Sequence, residues 1–253
     1  MTLNMPLLKF FYYFSFAGYV LAFLTSLKAG WFRIFKWFFS LSLILNAGAF
    51  VLFWSRSGHF PFCDNFAESY VTMGLVLGVM SLLISGKASS SLRLGRYAAL
   101  GVIMVYAYSL GRSLEPSPYL YWYDDPSVFC FYFFRVAAIG VMFLGAAFFA
   151  ANLHLQRTEG EGAAGDMTRG RYFLLLGAIF FLVSECCGAW WSEKATGDFW
   201  QFSPAFFTSA GTFLLFMIPF HWPAKWSGKI PFKALVGACV PVLILVVVMI
   251  RNH

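Results

Sequence analysis

The chain has 253 residues, of which 60% are hydrophobic and only 11% charged, with a net charge of +7 at neutral pH. Soluble domains carry roughly 25% charged residues, so too little charge is present to clothe a soluble core of this size. A mean hydropathy of +0.72 points to a polytopic membrane protein. In that class the basic excess reports topology, and no nucleic-acid partner is expected.

The apolar runs predict eight spans, each about the 20 residues that a bilayer requires. They fall near 7–27, 32–54, 68–86, 94–111, 127–153, 171–190, 204–222 and 231–251. The expected fold class is all-α, a polytopic membrane helix bundle of about eight transmembrane helices forming one domain over 1–253. The first run is long and lacks a small-residue cleavage site, so no cleavable signal peptide is expected. No internal repeat stands out.

Basic residues gather in alternate loops. Lys28, Arg33 and Lys36 follow the first span, and Lys87, Arg93 and Arg96 the third. Arg157, Arg169 and Arg171 follow the fifth, and Lys225, Lys229 and Lys233 the seventh. These are 12 of the 18 basic residues, joined on that side by only Glu159, Glu161 and Asp166 of the 11 acids. The positive-inside rule makes this side cytoplasmic and places both termini outside.

The sixth and seventh spans are joined by GAWWSEKATGDFWQFSP, 188–204, expected as an external aromatic tract. Trp190, Trp191, Phe199, Trp200 and Phe202 supply large rings, while Glu193, Lys194 and Asp198 keep the segment wet. Such a tract serves either as an interfacial belt or as a platform for a planar apolar ligand such as haem.

Five cysteines without a CxxC pair exclude a zinc ribbon, a thioredoxin-like motif and c-type haem attachment. Cys63, Cys130, Cys186 and Cys187 lie toward the outer side, where disulfides persist, and any bond would join different spans. No Ser-His-Asp set, phosphate loop or metalloprotease motif is present. Asp124 and Asp125, in YLYWYDDP, read as a solvated turn, with a cation site as the alternative.

Topology sorts the histidines into two pairs. His59 and His253 lie outside, and His154 and His221 lie at the inner ends of the fifth and seventh spans. Either pair offers bis-histidine ligation of haem iron, against the alternative of interfacial imidazoles hydrogen-bonded to carbonyls or headgroups. Arg135 sits about two turns into the fifth span and must face the bundle, since a cation in lipid is expensive. Glu185 lies at similar depth on the sixth. The two form a structural ion pair, or else Arg135 holds haem propionates or a quinone head.

From Trp191 the tract reads W-S-E-K-A-T-G-D-F-W-Q-F-S-P-A-F, and SGHFPFCDNFAES occupies 57–69. His221 follows Pro204 in the next span. Together these resemble the CcsA/ResC/CcmC superfamily of haem-handling cytochrome c assembly proteins. That family's tract runs roughly W-A-x-x-A-W-G-x-Y-W-x-W-D-P-K-E, and a G-H-F-P-L-S-N-x-Y-E-S segment precedes its third span. Trp191, Ala195, Gly197, Trp200 and Pro204 match the first, with Phe199 and Phe202 in aromatic register. His59, Pro61, Asn65, Glu68 and Ser69 match the second.

The resemblance implies a haem b site in the membrane with His221 as ligand, and a tract that holds porphyrin while an apocytochrome c approaches. His154 is assigned as the second ligand from its depth alone. The resemblance further implies a CcsB-like membrane partner or a larger respiratory membrane complex, in a bacterial inner membrane with the tract on its extracytoplasmic side.

Departures from the family pattern set a second expectation. The family's W-L-x-x-H-V histidine is replaced by Arg135 in F-Y-F-F-R-V, and no L-H-S-Y segment follows the last span. Ser203 stands at the tract's aspartate, Thr196 at a tryptophan, and Ala205 and Phe206 at Lys-Glu. Enzymatic activity is thus expected at most as part of a cytochrome c synthase (haem lyase) complex. The alternative is a divergent paralogue without synthase activity: a structural or quinone-contacting subunit, or a regulator resembling HemX.

Overall fold

The computed structural model describes residues 4–28, 30–62, 67–84, 88–158, 164–199, 204–221 and 230–251. Every regular element among them is helical, as the apolar runs predict. The α-helices are α1 (Asn4–Ser26), α2 (Phe32–Ser57), α3 (Ala67–Ile84), α4 (Ala88–Ser109), α5 (Pro126–Thr158), α6 (Ala164–Thr196), α7 (Pro204–Met217) and α8 (Ile230–Arg251). Short 3-10 helices add Tyr121–Asp124 and Ile218–Phe220. Among the described residues, five helices are long and apolar enough to cross a membrane: Met5–Ser26, Phe32–Ser57, Ala67–Ile84, Pro126–His154 and Met167–Thr196. Phe206–Phe220 and Pro231–Ile244 are shorter apolar helices. The chain divides into two compact units, Met1–Asp124 and Asp125–His253.

In the first unit α1 packs on α2 and α4, and α3 on α2 and α4. Leu7, Phe10, Phe14 and Leu21 lie exposed along α1 at helical spacing, an apolar stripe suited to lipid rather than water. The polar residues point inward. Ser15 Oγ donates to Tyr106 Oη at 3.1 Å, and Tyr12 Oη and Ser109 Oγ lie 2.5 Å apart. Asn46, in the amide orientation that satisfies its neighbours, donates to Tyr106 Oη at 2.8 Å and Val71 O at 3.1 Å. It also accepts from the Leu75 amide at 3.1 Å. Interhelical hydrogen bonds of this kind join helices where lipid removes the hydrophobic drive for association. Arg96 on α4 donates to the Ser26 carbonyl, satisfying the end of α1.

In the second unit α5 packs against both α6 and α8, while α7 contacts α6 and α8. Of the most apolar stretch of α5, 89% is buried, against 28% for α6, so α5 is the inner helix. Small residues allow the close approach. A Cβ added at Gly145 would lie 3.0 Å from the Gly170 carbonyl oxygen, and one at Gly237 would lie 2.6 Å from the Phe149 ring. Tyr172, Leu175, Ile179 and Leu182 form the exposed apolar face of α6.

Both long helices have defined ends. Asp125 is the N-cap of α5: its Oδ1 accepts from the Ser127 amide at 2.8 Å, and Pro126 follows at the first helical position. Gly197 closes α6 at φ 77°, its amide donating to the Glu193 carbonyl at 2.7 Å. The sequence predicts that the sixth span ends near 190, yet α6 continues to Thr196. Glu193, Lys194 and Ala195 are good helix formers, and no glycine or proline interrupts the run from Ala189 until Gly197. At 33 residues α6 is about 50 Å long, more than a hydrocarbon core of about 30 Å can hold.

Candidate functional site

Arg135 is the charged centre of the second unit. It lies on the buried helix α5 with 8% of its surface exposed. One guanidinium nitrogen sits 2.6 Å from Glu185 Oε1 on α6 and 2.7 Å from Ser209 Oγ on α7. Its carbon lies 4.6 Å from the Phe131 ring centroid and 5.4 Å from that of Phe181. The expected ion pair with Glu185 is therefore present, and it faces other helices. Two rings flank the cation and two oxygens accept its hydrogens, the environment a buried charge needs. One turn toward the chain start, Ser184 Oγ donates to the Phe131 carbonyl at 2.7 Å and fixes the register of α5 against α6. Cys130 and Cys187 are in contact across the same interface, and Cys130, Cys186, Cys187 and Cys239 are free thiols. Cys63 lies outside the described residues.

The first half of the aromatic tract rides on the last turns of α6 rather than on a loop. Trp190 is 58% exposed, and Trp191 and Phe199 are exposed as well. Lys194 Nζ lies 5.2 Å from the Trp190 ring centroid and 3.2 Å from Asp125 Oδ2, clamping the end of α6 to the start of α5. The Asp125 carboxyl is held below the usual carboxylate range, first by the hydroxyl and amide of Ser127 and then by Lys194. Asp124 instead accepts from the Tyr119 hydroxyl, which pushes that phenol up. Each acid of the YDDP turn thus has its own protein partner. Trp200, Phe202 and Ser203 lie outside the described residues.

Of the two histidines expected to ligate haem, His154 is half-buried near the end of α5 and has interactions of its own. His221 closes the 3-10 turn after α7 and is exposed. Its Nδ1 lies 3.0 Å from the Met217 carbonyl oxygen, which only accepts, so Nδ1 carries a hydrogen and Nε2 is the ring nitrogen left for another partner. No described residue takes that Nε2. Among the described residues there is no group of three or more His, Cys, Asp or Glu side chains placed to share a metal ion. His253 lies outside the described residues.

His59 belongs to the first unit and is enclosed. Gly58 ends α2 at φ 73°, its amide donating to the Trp54 carbonyl at 3.1 Å, and this left-handed cap turns the next residue inward. His59 Nδ1 then lies 2.9 Å from the Phe60 carbonyl oxygen, and Nε2 lies 2.8 Å from Ser117 Oγ. Ser117 Oγ lies 2.7 Å from Glu68 Oε1 in the first turn of α3, and the Ser117 amide donates to Oε2 at 3.3 Å. The Tyr123 ring stands 4.4 Å from the imidazole, centroid to centroid. Glu68 is fully buried, Ser117 is 2% exposed and His59 is 6% exposed. Both ring nitrogens of His59 are thus engaged by protein. Asn65 of the same segment lies outside the described residues.

Ser209 and Ser117 are members of these clusters that the sequence pattern does not single out, whereas Glu68 stands in the 57–69 segment. A carboxylate opening an apolar helix also demands a partner, and Ser117 supplies one to Glu68. The chain matches no protein-family model, no curated protein and no solved structure.

Proposed function

We propose that the protein is a haem-handling integral membrane protein of the CcsA/ResC/CcmC kind, serving cytochrome c maturation. In this reading the eight helices are eight spans of a bacterial inner membrane. Both termini and the 188–204 tract lie on the extracytoplasmic side, and the basic loops lie in the cytoplasm. A CcsB-like partner or a larger respiratory complex completes the assembly, and an apocytochrome c is the acceptor.

The observation that carries the proposal is the ring of His221. Axial histidines of haem donate their second ring hydrogen to a carbonyl or carboxylate, which fixes the tautomer and makes the free nitrogen a better ligand. The Met217 carbonyl does this here. Bound haem b would supply redox-active iron at the inner end of α7. His221 would hold it through Nε2, and His154 is the proposed second ligand. At the opposite, extracytoplasmic side, Trp190, Trp191 and Phe199 would give an apolar surface for porphyrin presented to the apocytochrome, with Trp200 and Phe202 continuing the tract.

A second reading is favoured by Arg135. Where the family carries a histidine, this chain carries a cation whose hydrogen bonds go to Glu185 and Ser209. That supports a divergent paralogue which keeps the scaffold without synthase activity, as a structural, quinone-contacting or HemX-like regulatory subunit. The absorption spectrum of the protein purified from haem-replete cells separates the two. The first reading expects a reduced b-type band that His221→Ala loses while still inserting normally. A colourless wild-type preparation favours the second, and full haem retention by His221→Ala removes the assigned ligand.

A further inference from the structure

The interface between α5 and α6 runs antiparallel in a fixed register. Gly145, Ala138 and Phe131 recur every seven residues, about two helical turns. They meet Gly170, Gly177 and Ser184, which recur every seven in the opposite sense. A Cβ on Gly145 would lie 3.0 Å from the Gly170 carbonyl oxygen, and one on Gly177 would lie 3.1 Å from that of Ala138. Backbone therefore meets backbone along this seam. Past Ser184 the approach stays close, since a Cβ on Gly188 would lie 2.7 Å from the Phe131 ring. Asp125 and Lys194, 3.2 Å apart, finish the seam at its wet end. Cys130 precedes Phe131, Cys187 precedes Gly188, and the register brings these two side chains into contact. Both are half-buried free thiols.

We propose that Cys130 and Cys187 are a thiol–disulfide exchange site that ties α5 to α6 covalently when oxidised. The oxidant is the disulfide of another molecule. One cysteine of the pair, as thiolate, attacks that disulfide. A bond to the oxidant's first sulfur forms, the oxidant's own sulfur–sulfur bond breaks, and its second sulfur leaves as thiolate. The other cysteine then attacks its neighbour's sulfur in this mixed disulfide and displaces the first sulfur. The protons of the two cysteines end on the two thiols released. The pair has lost two electrons and the oxidant has gained them. Those protons have a short way to water, because Cys187 lies seven residues from Lys194, about 10 Å along α6.

Geometry selects this pair among the described cysteines. A disulfide needs Cα atoms within about 7 Å and Cβ atoms that face each other. Two helices offer that only where small side chains let their backbones approach, and Ser184 and Gly188 stand on either side of Cys187. Cys186 is the next residue on α6, yet it is turned about 100° around the helix and is exposed where Cys187 is half-buried. Cys239 is exposed on α8. The bond would form beside the buried charges, Cys130 five residues before Arg135 and Cys187 two after Glu185. Closing it constrains the unfolded chain, so the oxidised protein is the more stable form. The site rests neither on bound haem nor on which side of the membrane the aromatic tract faces.

The test equilibrates the purified protein in detergent with mixtures of 2-hydroxyethyl disulfide and 2-mercaptoethanol. Both reagents are small and uncharged, so partial burial does not bar them. After alkylation in denaturant, peptide mass mapping should find Cys130 linked to Cys187, two hydrogens lighter than the dithiol. The ratio of linked to free pair should rise tenfold for each tenfold rise in disulfide over the square of the thiol concentration. Cys186→Ser should leave this titration unchanged, whereas Cys130→Ser and Cys187→Ser should each abolish it. The thermal midpoint of the wild type should rise by several degrees on oxidation and return on reduction, and Cys130→Ser should show no such change. Both thiols still free at the most oxidising mixture would overturn the proposal. So would a bond from either one to a different cysteine, or a mixed disulfide that stays on one of them. Should the serine variants not accumulate, the mapping of the wild type decides alone.

Discussion

The two units solve the same problem, holding apolar helices together in a solvent as apolar as themselves, with different chemistry. The first unit turns hydroxyls and an amide inward, joining α1 to α4 through Tyr12, Ser15, Tyr106 and Ser109 and α2 to α3 and α4 through Asn46. The second brings backbones together at glycines and, inside the helices described, relies on a largely buried ion pair, Arg135 with Glu185. Energy in the first is spread over many neutral bonds, each worth little. In the second it is concentrated where a single change leaves a charge without its partner. The contrast teaches where mutation should hurt.

The largest effect is therefore expected at Arg135. Replacing it with methionine strands the Glu185 carboxylate, and a broken buried pair costs about 3–5 kcal/mol, the lower end applying because a quarter of the Glu185 side chain is exposed. The double variant Arg135→Met, Glu185→Leu should recover most of that loss, since no charge is then left alone. Unfolding in detergent, run as a double-mutant cycle, measures both. Equal losses in the single and double variants would show that the pair is not what matters at this position.

Next comes the glycine contact between α5 and α8. Gly237→Val places carbon where the Phe149 ring already stands, 2.6 Å from the first added atom. Overpacking of this kind costs about 1–3 kcal/mol. Phe149→Leu should relieve part of it, and the cycle of the two substitutions should show coupling because the residues touch.

How much of this is legible without coordinates differs residue by residue. The helices are, because bilayer thickness sets the length of an apolar run. The Arg135–Glu185 pair is legible too, because two opposite charges at one depth in apolar helices have few other places to go. Ser209 is not, being one small polar residue among several in apolar surroundings. The bond between Glu68 and Ser117 spans 49 residues and joins a helix start to an irregular loop, a pairing that no local pattern marks. The 188–204 tract reads as loop from its rings and charges, yet local helix propensity carries α6 on to Gly197.

A smaller effect is expected in the first unit. Tyr106→Phe removes the oxygen to which both Ser15 and Asn46 donate, while leaving the ring stacked on Tyr12 at 5.2 Å. Interhelical hydrogen bonds in membranes average about 0.6 kcal/mol, so a loss near 1 kcal/mol is expected for the two. A loss as large as that of Arg135→Met would erase the distinction between distributed and concentrated polar energy.

The smallest effect belongs to Asp125, at the wet end of the second unit, where charge is cheap. Its carboxylate caps α5 through Ser127 and meets Lys194 on α6, and these contacts hold it below the usual carboxylate range. A carboxyl that is more acidic folded than unfolded binds fewer protons in the folded state. Its contribution is therefore fully present above the unfolded value of about 3.9 and is lost as the pH falls through the lower, folded value. Asp125→Asn keeps a capping oxygen but cannot ionise. At neutral pH it should lose only the screened, surface part of the Lys194 attraction, less than either buried substitution. On acidification the wild type should converge on Asp125→Asn, because protonation removes the same charge. Midpoints of the two proteins that stay parallel from neutral to acid pH would show that the cap works through its oxygen alone and that the ion pair with Lys194 holds nothing together.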